Sequence, residues 1–413
     1  MTKLPQGWEW KSLGEIFNIE RGGSPRPIKK FLTDKEDGIN WIKIGDIKNQ
    51  KYLYKTEEKI IQEGLKKSKL VIEGDLLVSN SMSFGKPVIV KLQKGAIHDG
   101  WLLLKEKINL NKEYFYYLFS SNFMYSFLSY QASGSTVKNL NIDKLKQIEI
   151  PLPPLKEQER IVGILDESFA KIDESIKILE QDLLNLDELM QSALQKAFNP
   201  LKDNAKENYK LPQGWEWKSL GEISNLIQNG FAASKNNEIP SGYVHLRTHN
   251  ISTDGNLNFD TLIKIKREFI KEKQSFIEKN DILFNNTNST ELVGKTALVT
   301  QNYNYAFSNH LTKIKLKNQY NSKLVVFYFV LLLKNKYFEK ICHQWIGQSG
   351  INIDKLKKIQ IPLPPLKEQE QIAKHLDFVF EKTKALKELY TKELKDYEEL
   401  KQSLLNKAFK GEL

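Results

Sequence analysis

The sequence predicts an α+β protein built twice over: two mixed α/β heads, each followed by a long helix, with the two helices packed on each other. Three observations carry this. The opening Leu4-Pro5-Gln6-Gly7-Trp8-Glu9-Trp10-Lys11-Ser12-Leu13-Gly14-Glu15-Ile16 returns letter for letter at residues 211–223. The stretch Ile150-Pro151-Leu152-Pro153-Pro154-Leu155-Lys156-Glu157-Gln158-Glu159 returns at residues 361–370. Behind each copy of that stretch, apolar residues recur four and three apart, the rhythm of a helix seam.

Between the shared frames the two halves differ, yet their element signals align. The repeated Trp8 and Trp10, with Trp215 and Trp217, read as packing residues because both halves keep them. Next come the loops Arg21-Gly22-Gly23-Ser24-Pro25-Arg26 and Gln228-Asn229-Gly230-Phe231. Residues 41–47 alternate and turn at Gly45-Asp46; their counterpart is 243–251. Lys43 of the first run, and His245, Arg247 and His249 of the second, are candidate contacts. Gly74-Asp75 and Asn280-Asp281 then open buried strands, and Asn at the turn is tolerable because it accepts left-handed geometry. Residues 88–90 and 297–299 read as return strands, and 101–104 and 311–314 as one more pair. Apolar, helix-leaning stretches follow at 113–130 and 322–341. Asn141-Ile142-Asp143-Lys144-Leu145-Lys146 recurs at 352–357 and closes each head.

The prolines of the ten-letter stretch stop a strand and start a helix. Proline cannot donate to a ladder but suits a helix's first turn. The first helix carries the seam Ile161, Leu165, Phe169, Ile172, Ile176, Leu179, Leu183, Leu186, Met190 and Ala193. The second carries Ile372, Leu376, Val379, Leu386, Tyr390, Leu394, Tyr397 and Leu404, with Thr383 and Lys401 as polar interruptions. Residues 155–198 would span about 65 Å at about 1.5 Å per residue. A helix that long overhangs a head of this size, so helix-on-helix packing is favoured over packing on its own head. The expected boundaries are a head at 1–153, a helix at 154–199, a polar linker at 200–210, a head at 211–364 and a helix at 365–413.

Charge and composition narrow the function. A net charge of +11 over 413 residues points to an acidic partner, nucleic acid or an anionic surface. The single cysteine, Cys342, excludes an internal disulfide framework and fits a reducing cytoplasm. The start of the chain has no apolar leader, and the longest apolar run, 324–333, is too short to span a bilayer, so no membrane role is expected.

Catalytic signatures are missing. The Pro-Pro pairs are flanked by leucine, unlike the Asp/Asn-Pro-Pro-aromatic pocket of an adenine methyltransferase. No Gly-x-Gly-x-x-Gly loop exists. Six histidines show no metal spacing, so neither a metal site nor a cofactor is expected in this chain. Gly294-Lys295-Thr296 ends like a phosphate loop, but Gly85-Lys86-Pro87 stands at the matching place, which suits a shared hairpin better.

Polar loops are the better candidates for chemistry. Ser79, Asn80, Ser81, Ser83 and Lys86 follow one buried strand; Asn285, Asn286, Thr287, Asn288 and Lys295 follow its counterpart. Short amides and hydroxyls can pair with base edges, Asn with adenine above all, and lysine supplies phosphate affinity. Ser135, Thr136 and Lys138, Gln348 and Ser349, Arg21, Ser24 and Arg26, and Gln228 and Asn229 complete the candidates. Ser and Asn also suit turns for purely local reasons, and Arg26, Lys29 and Lys30 read equally as solvated charges.

With these residues in view, the chain resembles the specificity subunits of type I restriction–modification enzymes. The Leu-Pro-x-Gly-Trp opening, Gly-Asp-Leu-Leu-Val and Ile-Pro-Leu-Pro-Pro-Leu-x-Glu-Gln-Glu carry the resemblance, each present twice, the second as Asp281-Ile282-Leu283-Phe284 in the later copy. The resemblance implies two target recognition domains, each reading half of a split, asymmetric DNA site, and an antiparallel coiled coil that fixes the gap. It implies a non-catalytic subunit that joins double-stranded DNA to two modification (methyltransferase) subunits, and that can further recruit two ATP-dependent restriction subunits. S-adenosylmethionine, ATP and Mg would sit on those partners. The competing reading is a duplicated coiled-coil scaffold that joins proteins without reading DNA. An autonomous nuclease or methyltransferase would need the motifs that are missing.

Overall fold

The computed structural model describes residues 4–47, 50–80, 85–132, 142–198, 211–271 and 275–413. The candidates Ser81, Ser83, Ser135, Thr136 and Lys138, and the linker 200–210, lie outside the described residues. The chain forms two compact units, Met1–Glu180 with Thr391–Leu413, and Gln181–Tyr390. Among the described residues no helix is long and apolar enough to cross a membrane.

In the first unit the repeated frame closes on itself. Strand Glu9–Ser12 from the opening pairs antiparallel with Glu149–Leu152, Trp10 facing Pro151. In the second unit Glu216–Ser219 pairs with Gln360–Leu363, Trp217 facing Pro362. Two-stranded ribbons have no interior, so the prolines sit where no further ladder bond is needed. Trp215 is buried as expected for packing, and Trp8 packs against the core. Trp10 and Trp217 are not core residues: they are 37% and 46% exposed, because their strands turn them outward.

Each head is layered. In the first unit the main sheet has the order Phe17–Arg21, Trp101–Glu106, Leu76–Ser79, Pro87–Val90, Tyr52–Leu53. Its strands are apolar on both faces, which explains runs such as Leu76-Leu77-Val78. Leu76, Val78, Leu102 and Leu104 meet the helix Lys112–Ser120 through Tyr114, Phe115 and Leu118. Leu77, Val88, Val90 and Leu103 face Ile42, Val71 and Ile97 of a second five-stranded sheet. The second unit repeats the plan with Ser224–Asn229, Leu311–Leu316, Ile282–Asn285 and Thr296–Leu298. Helix Ser322–Lys334 covers one face, and Val244, Leu246, Ile277 and Phe307 the other. Asn280 takes φ +72° where Gly74 takes φ +87°, the left-handed turn expected of Asn.

The ten-letter stretch contains a buried clamp. The Gln158 side chain donates to Pro153 O at 2.9 Å and accepts from Asn111 N at 2.9 Å. Asn111 caps the helix Lys112–Ser120, so the clamp ties helix start to helix start. Gln369 does the same with Pro364 O at 2.8 Å and Asn321 N at 2.9 Å. Gln369→Leu is expected to cost the second unit roughly 3 kcal/mol, since two buried backbone groups lose their partners. Urea unfolding of that variant checks it; a midpoint equal to the parent's would reject the clamp.

The long helices run Leu155–Phe198 and Leu366–Lys410. In the first unit the start of the first helix lies with the end of the second: Ile161, Leu165, Leu405, Ala408 and Phe409 share one core. Tyr114 meets Phe409 edge-on at 5.4 Å. In the second unit Met190, Leu194 and Phe198 share a core with Leu376 and Phe380. The helices are therefore antiparallel, and the repeated Lys-Ala-Phe endings serve to fill the core of the other half's head. Each helix also carries an acid that fastens its own head. Asp166 accepts from Lys51 Nζ at 2.8 Å, and its equivalent Asp377 pairs with Lys323.

Seam residues Ile172, Leu179 and Leu186 are buried, while Phe169, Ile176 and Leu183 are partly so. In the second helix Ile372, Val379, Tyr390, Leu394, Tyr397 and Leu404 are partly buried. Leu386 is not a seam residue: it is 38% exposed. The buried face passes through Ala373, Leu376, Phe380 and Thr383 instead. Thr383 is accommodated because its hydroxyl donates to Val379 O at 2.7 Å. Two lysines continue this face. Lys387 reaches Asp187 and Lys401 reaches Asp173, each at 2.5 Å, and the paired positions lie two heptads apart on both helices.

Candidate nucleic-acid interface

The predicted loops converge at one end of each main sheet, because antiparallel strands bring the end of one beside the start of the next. In the first unit Gly22 N donates to Trp101 O at 2.9 Å, Gly23 N to Ile97 O at 3.1 Å, and Asn80 N to Gly100 O at 2.7 Å. In the second, Gly230 N donates to Leu311 O at 3.0 Å, Phe231 N to Phe307 O at 3.1 Å, and Asn286 N to His310 O at 3.0 Å. Three loops thus cross in the same way in both units, held by main-chain bonds. The Gly-Lys turns are hairpins of the same kind. Gly85 N donates to Ser79 O at 2.7 Å, Gly294 N to Asn285 O at 2.9 Å, and both glycines have φ near +90° (+83° and +96°).

The side chains on this shared frame differ. In the first unit Arg21, Ser24 and Arg26 gather around Asp99. Arg21 Nε donates to Asp99 O at 2.9 Å, Ser24 Oγ to Asp99 Oδ1 at 2.9 Å, and the Arg26 guanidinium lies 3.8 Å from Asp99 Oδ2. His98 Nε2 lies 3.0 Å from the same carboxylate. Arg21, Arg26 and Lys86 are exposed. Lys43 stands apart, with Glu58 at 3.2 Å and Glu57 at 3.9 Å. Ser79 is buried and its Oγ accepts from Lys86 N at 2.9 Å. Asn80 is buried too, and its amide has no partner among the described residues.

In the second unit the crossing is an amide and hydroxyl network. Asn286 Nδ2 donates to Thr312 Oγ1 at 2.9 Å and Asn309 O at 3.0 Å, Thr312 Oγ1 donates to Asn229 Oδ1 at 2.7 Å, and Thr287 Oγ1 donates to Asn286 Oδ1 at 2.7 Å. Asn285, with its amide turned to suit its neighbours, donates to Thr287 O at 2.8 Å and accepts from Asn288 Nδ2 at 2.7 Å. Gln228 stands near the end of strand Ser224–Asn229, one strand removed from that of Asn285, and is half-buried. Strand Thr287–Asn288 pairs with Gln348–Gly350, so two candidate loops far apart in sequence form one ribbon. Ser349 is buried and shares a 2.8 Å bond with Thr290 Oγ1, while Gln348 is exposed.

Several candidates turn inward and serve as support, not as exposed contacts. His245 is fully buried, its Nε2 3.1 Å from Phe231 O. Burial and then the Arg247 charge push its pKa down to about 4. Arg247 is held by Ala233 O at 3.1 Å and Glu238 at 3.6 Å, and burial lowers its pKa. Lys295 is buried with its ammonium on Thr248 O at 2.9 Å, and burial lowers its pKa also. Asn80, Asn285, Ser79 and Ser349 are buried likewise, because strand ends lie beneath the loops they open. His249 stays exposed, with Nε2 3.1 Å from Thr261 O. Among the described residues no group of three metal-ligating side chains gathers.

The sequence reading missed Asp99, Asn309 and Thr312. Aligning the residues before Trp101 with those before Leu311 would have found the first two. It also missed the ribbon His343–Trp345, whose Trp345 is 59% exposed.

Comparison with known proteins agrees with this architecture. The family model for the type I restriction modification DNA specificity domain matches residues 5–183 and 212–396. The StySPI specificity subunit of Salmonella potsdam is 25% identical over 100% of this chain and 90% of its own length. The EcoKI specificity subunit of Escherichia coli K12 is 25% identical over the same shares. The MjaIX specificity subunit of Methanocaldococcus jannaschii is 30% identical over 54% of this chain and 52% of its own. The fold is shared with the HsdS subunit of Thermoanaerobacter tengcongensis, at TM-score 0.60, 22% identity, and coverage of 100% and 99% of the two chains. It is shared more closely with a chain from a study of type I R-M complex assembly and conformational transition, at TM-score 0.81, 22% identity and full coverage of both. With the family's domain matched twice, over most of its length, this chain belongs to the type I restriction–modification DNA specificity family.

Proposed function

We propose that this chain acts as the non-catalytic specificity subunit of a type I restriction–modification complex, each head reading one half of a bipartite, asymmetric site in double-stranded DNA. The observation that carries this is the loop crossing: one backbone arrangement, presented twice, with arginine, serine and aspartate in one copy and amides and hydroxyls in the other. Arginine suits guanine and Asn or Gln suits adenine in the major groove. The antiparallel helices set the gap between half-sites. Two modification subunits, and in a full assembly two restriction subunits, supply methylation and cleavage with their own S-adenosylmethionine, ATP and Mg.

Methylome sequencing of cells expressing the chain with a modification subunit tests the reading. An adenine mark in a split motif, absent when this chain is deleted, is expected. An assembled complex that retains no DNA by sequence would favour the scaffold reading instead.

A further inference from the structure

The second unit carries an apolar tip that its core does not use. Strand His343–Trp345 pairs antiparallel with Gln348–Gly350, and Gly347, at φ +80°, turns the chain between them. Ile346 is fully exposed (107%), and Trp345 is 59% exposed. The indole is nevertheless placed. A Cβ at Gly350 would come within 2.8 Å of Trp345 Cζ3, so the ring lies against the bare glycine backbone, and His343 meets it edge-on at 5.9 Å. Fixing an aromatic ring in advance lowers the entropy cost of using it to bind.

The surroundings say what it meets. The ribbon continues through Thr287–Asn288 into the amide network of the loop crossing. Residues 343–350 contain no acid, and Gln344 and Gln348 flank the tip, exposed. Gln348–Gly350 is the central strand of a three-stranded sheet, but only it and His343–Trp345 reach the Ile346–Gly347 turn. A two-stranded tip fits a DNA groove, and apolar side chains can wedge between base steps there.

We propose that this ribbon enters a groove of the half-site read by the second head, and that Trp345 and Ile346 unstack one base step there. The inference rests on the DNA-reading function above. The wedge would give sequence preference at a step without base-edge hydrogen bonds, because soft steps yield more readily.

The test uses the assembled complex with its modification subunits. Duplexes carry 2-aminopurine at successive positions of the second half-site, leaving out the adenine that is methylated. The unmodified complex should brighten one step several-fold. Trp345→Ala with Ile346→Ala should abolish that signal and weaken retention about tenfold, with the salt slope unchanged because no phosphate contact is lost. Trp345→Phe with Ile346→Leu should keep most of the signal. Brightening that survives the alanine pair, or is absent from the parent complex on a duplex it retains, overturns the wedge. Failure of the alanine pair to assemble with modification subunits overturns it too, and assigns the tip to a protein contact. If the parent complex retains no specific duplex, the DNA-reading function itself falls.

Discussion

Gly230→Val should unfold the crossing of the second head at a cost on the order of 4 kcal/mol or more. A Cβ built there stands 2.0 Å from Phe307 O and 2.6 Å from Ser308 O. Both atoms are backbone, so no side chain can swing aside. To admit the valine, the loop must give up the bonds from Gly230 N to Leu311 O and from Phe231 N to Phe307 O. The first head has the same dependence at Gly22, where a Cβ would lie 2.3 Å from His98 O. Denaturant unfolding should show a large loss confined to one unit. In cells the Gly230 variant should lose one half of the methylated motif before the other. Full stability in the variant would mean that the loops can cross in another way.

Acidification should weaken the second unit through His245. Its pKa is pushed down to about 4 from an ordinary 6.5, so the folded state holds the ring neutral. Unfolding lets it take a proton more readily. The stabilisation is complete above pH 6.5 and is lost as pH falls through about 4. The span corresponds to roughly 3 kcal/mol at about 1.4 kcal/mol per pH unit. Comparing urea unfolding at pH 7.5 and pH 4.5 for the parent and His245→Gln isolates this effect, since carboxylate contributions are common to both. The parent should lose more stability than the variant; equal losses would remove His245 from the account.

Much of this was legible in the chain because it is duplicated. The prolines of the ten-letter stretch marked the end of strand Glu149–Leu152 and the start of the helix at Leu155, and the turn at Asn280 followed from its glycine counterpart. The loops were placed by residue type, and the sheet brought Asn229, Asn286 and Gln348 into one region. What failed has physical causes. Period alone cannot choose between Val379 and Phe380, or between Leu386 and Lys387, since Leu376, Thr383 and Tyr390 are common to both rows, and by residue type the apolar Leu386 reads as seam where the structure uses Lys387. Burial of His245 and Lys295 depends on strands from elsewhere in the head. The destination of Phe198 and Phe409 was hidden because a helix's own sequence does not say which core its end will enter.

The main-chain bonds at the crossing have a consequence for how such a protein changes over generations. They are blind to side chains, apart from the demand for glycine at 22 and 230. Asp99 and Asn309 already occupy one slot with different chemistry. Mutations in the exposed loop positions can therefore accumulate without eroding the scaffold that displays them. Under the proposed function, selection can act on what is read while leaving untouched the means of holding the reader, which makes a new target a matter of a few codons and not of a new fold.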